Sequence, residues 1–502
     1  MPAATLRLAR AAALAGASVA LVACGASSGA RRATPTVSAS AIPAASAGSA
    51  RGRLLDWPEF GLDAQRSGTS DQSSGITRAN VARLRRDTVR LPGTVDSSPI
   101  YLHAVTVAGA SRNVIVVTTS YGRTLAIDAD TGRILWTFTP PGYAGWAGSS
   151  QITNTSPIAD PGRGFVYAVS PDGLVHKLSL ASGTEAAGWP IRVTRDATRE
   201  KLGAALNIAG GELLVATSGY YGDAPPYQGH LVAIALAGGR IQAVYNTLCS
   251  DRRALIVPST CGASDSAILS RGGAVVEPGG RRVLIDTGNG PWNGRTNFGD
   301  SVIELSLPGL ERHQSFTPSD QQRLSESDTD LGSSAPALLG GDRVVLGGKD
   351  GVLRVLALSG LDGRTAGGAR LGGEVQTLST PGGSELFTAP AVWRHGGRTT
   401  VFIADGGGTA AYILRSGRLL RAWQNADAGT SPVLVGGLLY VYDPAGGGIR
   451  VYNLSSPRAI ARLAGEPGHW NSPIVVDGHV IEPEGNANDH RQSGTLDIFS
   501  AG

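Results

Sequence analysis

Tyr121-Gly122-Arg123-Thr124-Leu125-Ala126-Ile127-Asp128-Ala129-Asp130-Thr131-Gly132-Arg133-Ile134-Leu135-Trp136-Thr137-Phe138 reads as a strand, a tight turn and a returning strand. Leu125 and Ile127 alternate with Thr124 and Ala126, the two-residue period of a half-buried strand. Asp128 to Gly132 has turn chemistry, with Gly132 free to take a positive φ. An isolated hairpin cannot bury its apolar face. This chain meets that need by repetition.

The glycine that opens the hairpin recurs as Gly122, Gly173, Gly229, Gly299, Gly351, Gly408, Gly448 and Gly494, each ahead of an apolar strand such as Leu174-Val175-His176-Lys177-Leu178 or Val352-Leu353-Arg354-Val355-Leu356. A second mark precedes most copies: Ser98-Pro99, Ser156-Pro157, Ala335-Pro336, Ala389-Pro390, Ser431-Pro432 and Ser472-Pro473. Proline is tolerated at the first residue of a strand, where its missing N–H costs little. Each unit has the length of three or four antiparallel strands, one blade of a propeller. The spacing therefore predicts an all-β chain forming a single eight-bladed β-propeller of four-stranded antiparallel blades. The last repeat, from Asn471 to Phe499, ends at its third strand. An open ring would expose two edges, so a strand at Asp87 to Leu91 is expected to supply the missing fourth. Ile76 to Arg86 before it reads as a short helix capped by Thr77.

The pattern Gly-x-Leu-x-Ala-Ile-Asp-x-x-Thr-Gly-x-x-Leu-Trp resembles the pyrroloquinoline-quinone (PQQ)-type propeller repeat, over roughly Trp57 to Phe499. That family includes quinoprotein alcohol dehydrogenases and the scaffold lipoproteins of outer-membrane assembly. Asp286-Thr287-Gly288-Asn289-Gly290-Pro291-Trp292-Asn293-Gly294 with Phe298-Gly299-Asp300 is similar to a dehydrogenase run whose final Asp is the catalytic base beside calcium. The resemblance places that role on Asp300, with Asn289 beside the cofactor. Gly347-Gly348-Lys349-Asp350-Gly351 likewise resembles a strand whose basic residue contacts the quinone, which places Lys349 there. Asn289, Asn293 and Asp300 also suit tight turns, and Lys349 suits an exposed one. Other parts of the enzyme pattern are missing. There is no vicinal Cys-Cys pair and no Cys-x-x-Cys-His haem motif, and the calcium-binding glutamate would fall near Tyr221, with Asp223 close but out of alignment.

Composition agrees with many turns between short strands: 502 residues with 70 Gly, 28 Pro and 17% charged residues. A net charge of +4, with scattered basic residues, gives no footprint for nucleic acid. Residues 1 to 23 read as a secretory signal, with Arg7 and Arg10 ahead of the apolar Ala11 to Ala23. Leu21-Val22-Ala23-Cys24-Gly25 resembles a bacterial lipobox, which implies that Cys24 is the lipidated N-terminus of the mature protein. Residues 24 to 53 are rich in Ala, Ser, Gly and Pro and read as a disordered tether. Residues 54 to 502 form the propeller. Cys249 and Cys261, left as a pair in an oxidising compartment, are expected to form a disulfide. Such a loop closure is worth roughly 3 kcal/mol in the chain-entropy model.

Two further features invite a ligand. The insertion with Tyr220, Tyr221 and Tyr227 is a Pro-stiffened loop that either meets a partner or packs on its own blade. Glu482, Glu484, Asn486, Asn488, Asp489 and His490 offer hard oxygens of the kind calcium takes, at a spacing that matches no known loop. Trp146 is expected either on the upper surface or as a plug between blades. The reading that follows is a monomeric, membrane-tethered, extracytoplasmic binding or scaffold propeller of the cell envelope, with no cofactor fixed by the sequence and PQQ with calcium left open, whose upper loops meet an envelope protein or other ligand. The alternative is a PQQ- and calcium-dependent dehydrogenase of alcohols or sugars. A glycan-binding or hydrolytic propeller lacks a paired-carboxylate signature.

Overall fold

The computed structural model describes residues 36–38, 41–42, 52–220, 222, 224–362 and 370–501. The expected signal segment, the lipobox and Cys24 lie outside them, as do Tyr221 and Asp223. The strands form eight antiparallel four-stranded sheets, the blades, numbered here in chain order. Blade 1 holds Ile100–Val107, Ala110–Thr118, Thr124–Asp128 and Ile134–Phe138. Blade 4 holds Val275–Val276, Arg282–Asp286, Val302–Ser306 and Arg312–Phe316. Blade 7 adds an inner parallel strand, Thr69–Ser70, beside Val433–Val435.

Blade 8 is composite. Ile474–Val476, His479–Glu484 and Gly494–Ser500 come from the C-terminus, and Arg85–Leu91 pairs antiparallel with Gly494–Ser500, Leu91 opposite Gly494. The ring is thus closed by the expected N-terminal strand, which starts two residues earlier than Asp87. The helix expected over Ile76 to Arg86 shrinks to one 3-10 turn, Val81–Arg83. Leu84 is already extended, and pairing of Arg85 with Ser500 claims the backbone that a helix would need.

Apolar clusters sit between blades. Val114 and Val116 meet Val166 and Leu178 between blades 1 and 2, and the pattern repeats round the ring. It returns to its start in one cluster containing Val89, Leu91 and Leu496 of blade 8, Ile115 and Ile127 of blade 1, and Tyr440 and Val451 of blade 7. This double-sided packing corrects the expectation of half-burial: all of Thr124–Asp128 is buried, because each inner strand is covered by a blade on either side. The recurring glycine is explained the same way. A Cβ on Gly122, which has φ of +84°, would lie 2.9 Å from the backbone of Ser170 in the next blade. The serine before proline staples blades at the axis. Ser98 N–H donates to Ser156 Oγ (2.9 Å), Ser98 Oγ to the Ser472 carbonyl (3.2 Å), and Ala389 N–H to Ser431 Oγ (3.0 Å).

The segment from Leu54 to Ile76 crosses one end of the axis and bonds to the inner strands. Its carbonyls accept from Ala159, Val276, Val392, Leu434 and Asp477 amides, and Trp57 exchanges both bonds with Tyr101. Arg66, only 2% exposed, is its hub. Its guanidinium donates to Glu59 Oε2 (2.7 Å) and to the carbonyls of Phe60, Leu206 and Gly272 (2.8, 2.6 and 3.1 Å). Cys249 and Cys261 are disulfide-bonded, with Cα atoms 6.0 Å apart. No helix among the described residues is long and apolar enough to cross a membrane.

Candidate functional site

The end of the axis opposite the Leu54 to Ile76 crossing is built from connections between blades and from the turn between the second and third strand of each blade. At its centre Asp96 draws together five segments. Arg271 Nη2 approaches Asp96 Oδ1 at 2.7 Å, and His469 Nδ1 lies 2.8 Å from Oδ2. Asn154 Nδ2 and the Ala487 amide also donate to Oδ2 (2.9 and 3.0 Å). Burial opposes this charge, but Arg271 and His469 outweigh it and hold Asp96 down at about 2. Nearby Lys201 is pushed down to about 8 by burial and then by Arg271, with Asp96 resisting.

Beside this cluster a cavity of about 490 Å³ is lined by Lys349, Glu385, Phe387, Asp405, Thr430 and Trp470, among others. Its aromatic wall is a stack. The Trp470 ring lies 4.2 Å from Phe387 at 15°, and 3.9 Å from His469 at 23°. Two rings that close and that parallel cannot share one face, so Trp470 is sandwiched. A second hollow of about 530 Å³ lies at the crossing-segment end. Its carboxylates are engaged locally: Asp63 accepts from Ser67, and Asp71 from Trp393 Nε1 (2.8 Å) beside His395. The loop-face cavity is therefore the better ligand site.

The residues singled out in the sequence do meet in this sector, but through one another. Lys349 Nζ lies 2.5 Å from Asp330 Oδ2 and 3.3 Å from Asp328 Oδ1. Asn289 donates its amide N–H to Asp330 Oδ1 (2.6 Å) and its side chain to Asp328 Oδ1 (3.2 Å). Burial alone would lower the Lys349 ammonium; the two aspartates outweigh it and raise it. Asp300 is fully buried, accepting from Leu331 N–H (3.1 Å) and Gln321 Nε2 (3.3 Å). A Cβ on the preceding Gly299 would sit 2.2 Å from the Gly290 carbonyl oxygen, so this turn closes tightly over it. Burial pushes the Asp300 carboxyl up to about 8, the Leu331 amide resists, and Asp330 adds to the rise. The rise favours the protonated form of this carboxyl near neutral pH.

A PQQ group needs a free aromatic face, cations for its carboxylates and carboxylate ligands for a divalent ion. These residues do not fit it. Both faces of Trp470 are covered, Lys349 is paired with Asp330 and Asp328, and Asp300 is sealed in bonds to Leu331 and Gln321. Among the described residues no group of three or more His, Cys, Asp or Glu is placed to hold a metal ion. The blade 8 hard-oxygen set does not converge: Glu482 and Glu484 are buried, Asn486 accepts from the Asn488 amide (3.0 Å), and Asp489 is exposed beside Arg491.

Other expectations are redirected. Tyr227 is 2% exposed, so it packs within the fold and offers no partner surface. The Tyr220 hydroxyl donates to the Ala197 carbonyl (2.9 Å). Trp146 is a buried plug, with Tyr121, Ile152 and Ala487. Blade 2 holds an arrangement not foreseen: Ser170 Oγ is 2.8 Å from His176 Nε2, and His176 Nδ1 is 2.6 Å from Glu185 Oε1. It has the order of a hydrolytic relay, yet Ser170 and His176 are fully buried and Ser170 Oγ also donates to Asp172. It ties strands together.

Asp286, fully buried on the second strand of blade 4, shows what such burial costs. Its Oδ1 accepts from Ser270 Oγ (2.9 Å), Oδ2 has no partner, and burial pushes it up to about 8. Between about pH 4 and 8 the unfolded chain gives up this proton and the folded chain keeps it, so stability falls as pH rises through that window and is level above it. Asp286→Asn cannot ionise. Denaturant unfolding at pH 5 and pH 8 should show a drop smaller than wild type by roughly 2–4 kcal/mol, at about 1.4 kcal/mol per pH unit.

A family model described as outer membrane protein assembly factor BamB matches residues 77–294. No curated protein matches the sequence. Among solved structures, a quinohemoprotein alcohol dehydrogenase from Comamonas testosteroni shares 15% identity, with 89% of this chain and 81% of that chain covered and a TM-score of 0.65. A europium-containing methanol dehydrogenase shares 14%, covering 89% and 98%, at 0.64. BamB from Moraxella catarrhalis shares 14%, covering 83% and 100%, at 0.52. The expected resemblance therefore holds for the eight-bladed PQQ-type fold, and at these identities it holds for the fold alone.

Proposed function

We propose that this PQQ-like propeller is a non-catalytic binding or scaffold protein of the cell envelope, tethered to the membrane through Cys24, and that its loop face receives the partner. The observation that carries this reading is the sandwiched Trp470: the aromatic platform of the axial cavity is already stacked on Phe387 and His469. The cavity keeps an exposed carboxylate in Glu385, a feature of a surface that meets a partner's side chains. The dehydrogenase alternative is favoured by the TM-score of 0.65 to a quinohemoprotein. It requires Asp300 and Lys349 to leave the bonds they make.

Titration of the mature protein with PQQ and calcium, followed by absorbance and melting temperature, separates the two. A ligand that binds only the folded state at one hundred times its Kd adds about 2.7 kcal/mol of stability. The expected result is no shift and no change on Asp300→Ala in ligand response. A saturable rise that Asp300→Ala or Lys349→Ala abolishes would establish the enzyme reading instead. Attachment is read separately: Cys24→Ser should move the protein out of the membrane fraction.

A further inference from the structure

Part of the stretch read as a free tether is bound. Thr36 pairs in parallel with Arg421, on the outermost strand of blade 6, Arg418–Asn425. Val37 N–H donates to the Arg421 carbonyl at 2.8 Å. Arg398 Nη1, from the same blade, donates to the Ala41 carbonyl at 3.3 Å. Ile42 is 3% exposed and belongs to the apolar cluster between blades 6 and 7, with Trp393, Phe402, Trp423 and Leu454, while Val37 and Ala41 pack against it. These are the two components of strand addition: main-chain bonds to a free edge, and one aliphatic anchor in a pocket.

The edge carries the bulge that recurs before the outer strand of blades 1, 3, 4 and 7. The strand register jumps between Ala411 and Tyr412, so that Trp423 and Arg421 are paired and Ala422 is bulged out between them. Trp423 Nε1 donates to the Leu454 carbonyl of blade 7 at 2.6 Å, which fixes the indole as a wall of the Ile42 pocket. Burial of the Ile42 side chain favours the docked form, and the covalent link keeps the segment's effective concentration high.

We infer that the blade 6 rim is a docking site for the chain's own Thr36 to Ile42 segment, and that docking shortens the link between propeller and membrane. This rests on the lipid-anchor reading of Cys24 for its consequence, not for the docking itself. A chain free from Cys24 to Leu54 would reach about 100 Å fully extended; one pinned at Thr36 leaves about 40 Å.

Hydrogen exchange on the full-length chain tests it. The Val37 amide should exchange at least about tenfold more slowly than an unstructured amide. Ile42→Asp should abolish that protection and leave Phe402, in the centre of blade 6, unchanged. Val37→Pro, which removes the donor and fixes φ at that position, should deprotect the Ala41 amide partly. Cys24→Ser should release the chain from membranes with Val37 still protected, which separates the docking from the anchor. Val37 exchanging at the unstructured rate in wild type would overturn the inference. So would protection that survives Ile42→Asp, or protection that appears only as protein concentration rises, which would mean docking on a second copy.

Discussion

Leu91→Ala should lower the free energy of unfolding by about 2–4 kcal/mol, while Arg85→Ala in the same strand should change it by less than about 0.5 kcal/mol. The contrast isolates ring closure. Leu91 is 4% exposed and sits in the one cluster that joins blades 7, 8 and 1, with Val89 and Leu496 beside it. Arg85 is exposed at the other end of the strand and contributes mainly backbone pairing with Ser500. If Arg85–Leu91 were a loosely attached edge, both substitutions would be near neutral. Leu91→Asp sharpens the test, since it buries a charge without a partner: loss of cooperative unfolding, or of the folded state itself, is expected by circular dichroism. A Leu91→Ala chain as stable as wild type would mean that the ring holds without its closing strand.

Asp96→Asn should cost about 3–5 kcal/mol, because it leaves Arg271 buried without its counter-charge. The substitution keeps the shape, but it removes the charge that Arg271 and His469 face at 2.7 and 2.8 Å and turns one acceptor oxygen into a donor. A second substitution distinguishes this from general damage. Asp96→Leu combined with Arg271→Met removes both charges and should recover a large part of the loss. The pH dependence has the opposite sign to that of Asp286. Asp96 is held down at about 2, below its unfolded value near 4. Its stabilisation is therefore present above about pH 4 and fades as pH falls towards 2. Asp96→Asn should flatten the acid limb of the stability profile. Lys201, which Asp96 partly supports, should titrate lower still in that variant.

The residues that set the repeat were legible because their causes are local. Turn chemistry at Asp128 to Gly132, period-two apolar runs and proline at strand starts need no partner to be recognised. Closure by a strand near Asp87 was legible for a logical reason: the last repeat was one strand short, and an unpaired edge is costly. Asn289 and Lys349 share the partners Asp328 and Asp330, and Asp300 is buried close by without lining the cavity. What the motif could not show was their partners. Asp328 and Asp330 lie in the connection between blades 4 and 5, which reads only as a polar stretch, yet they neutralise Lys349 and bond Asn289.

The sequence by itself determined that this chain builds eight small antiparallel sheets, that they close into a ring, and that Cys249 pairs with Cys261. Each of these follows from short-range spacing or from counting. Only the tertiary structure decided what stands on the axis. Asp96, Arg271 and His469 are far apart in the chain and carry no common motif, and the crossing of one end by Leu54 to Ile76 rests on backbone bonds and on Arg66, whose partners Leu206 and Gly272 are distant in sequence. The same holds for Ile42, an apolar residue in a polar tract, whose meaning appears only when blades 6 and 7 supply the pocket. A circular fold brings the ends of every repeat to one point, so its chemistry arises from contacts that no local window contains.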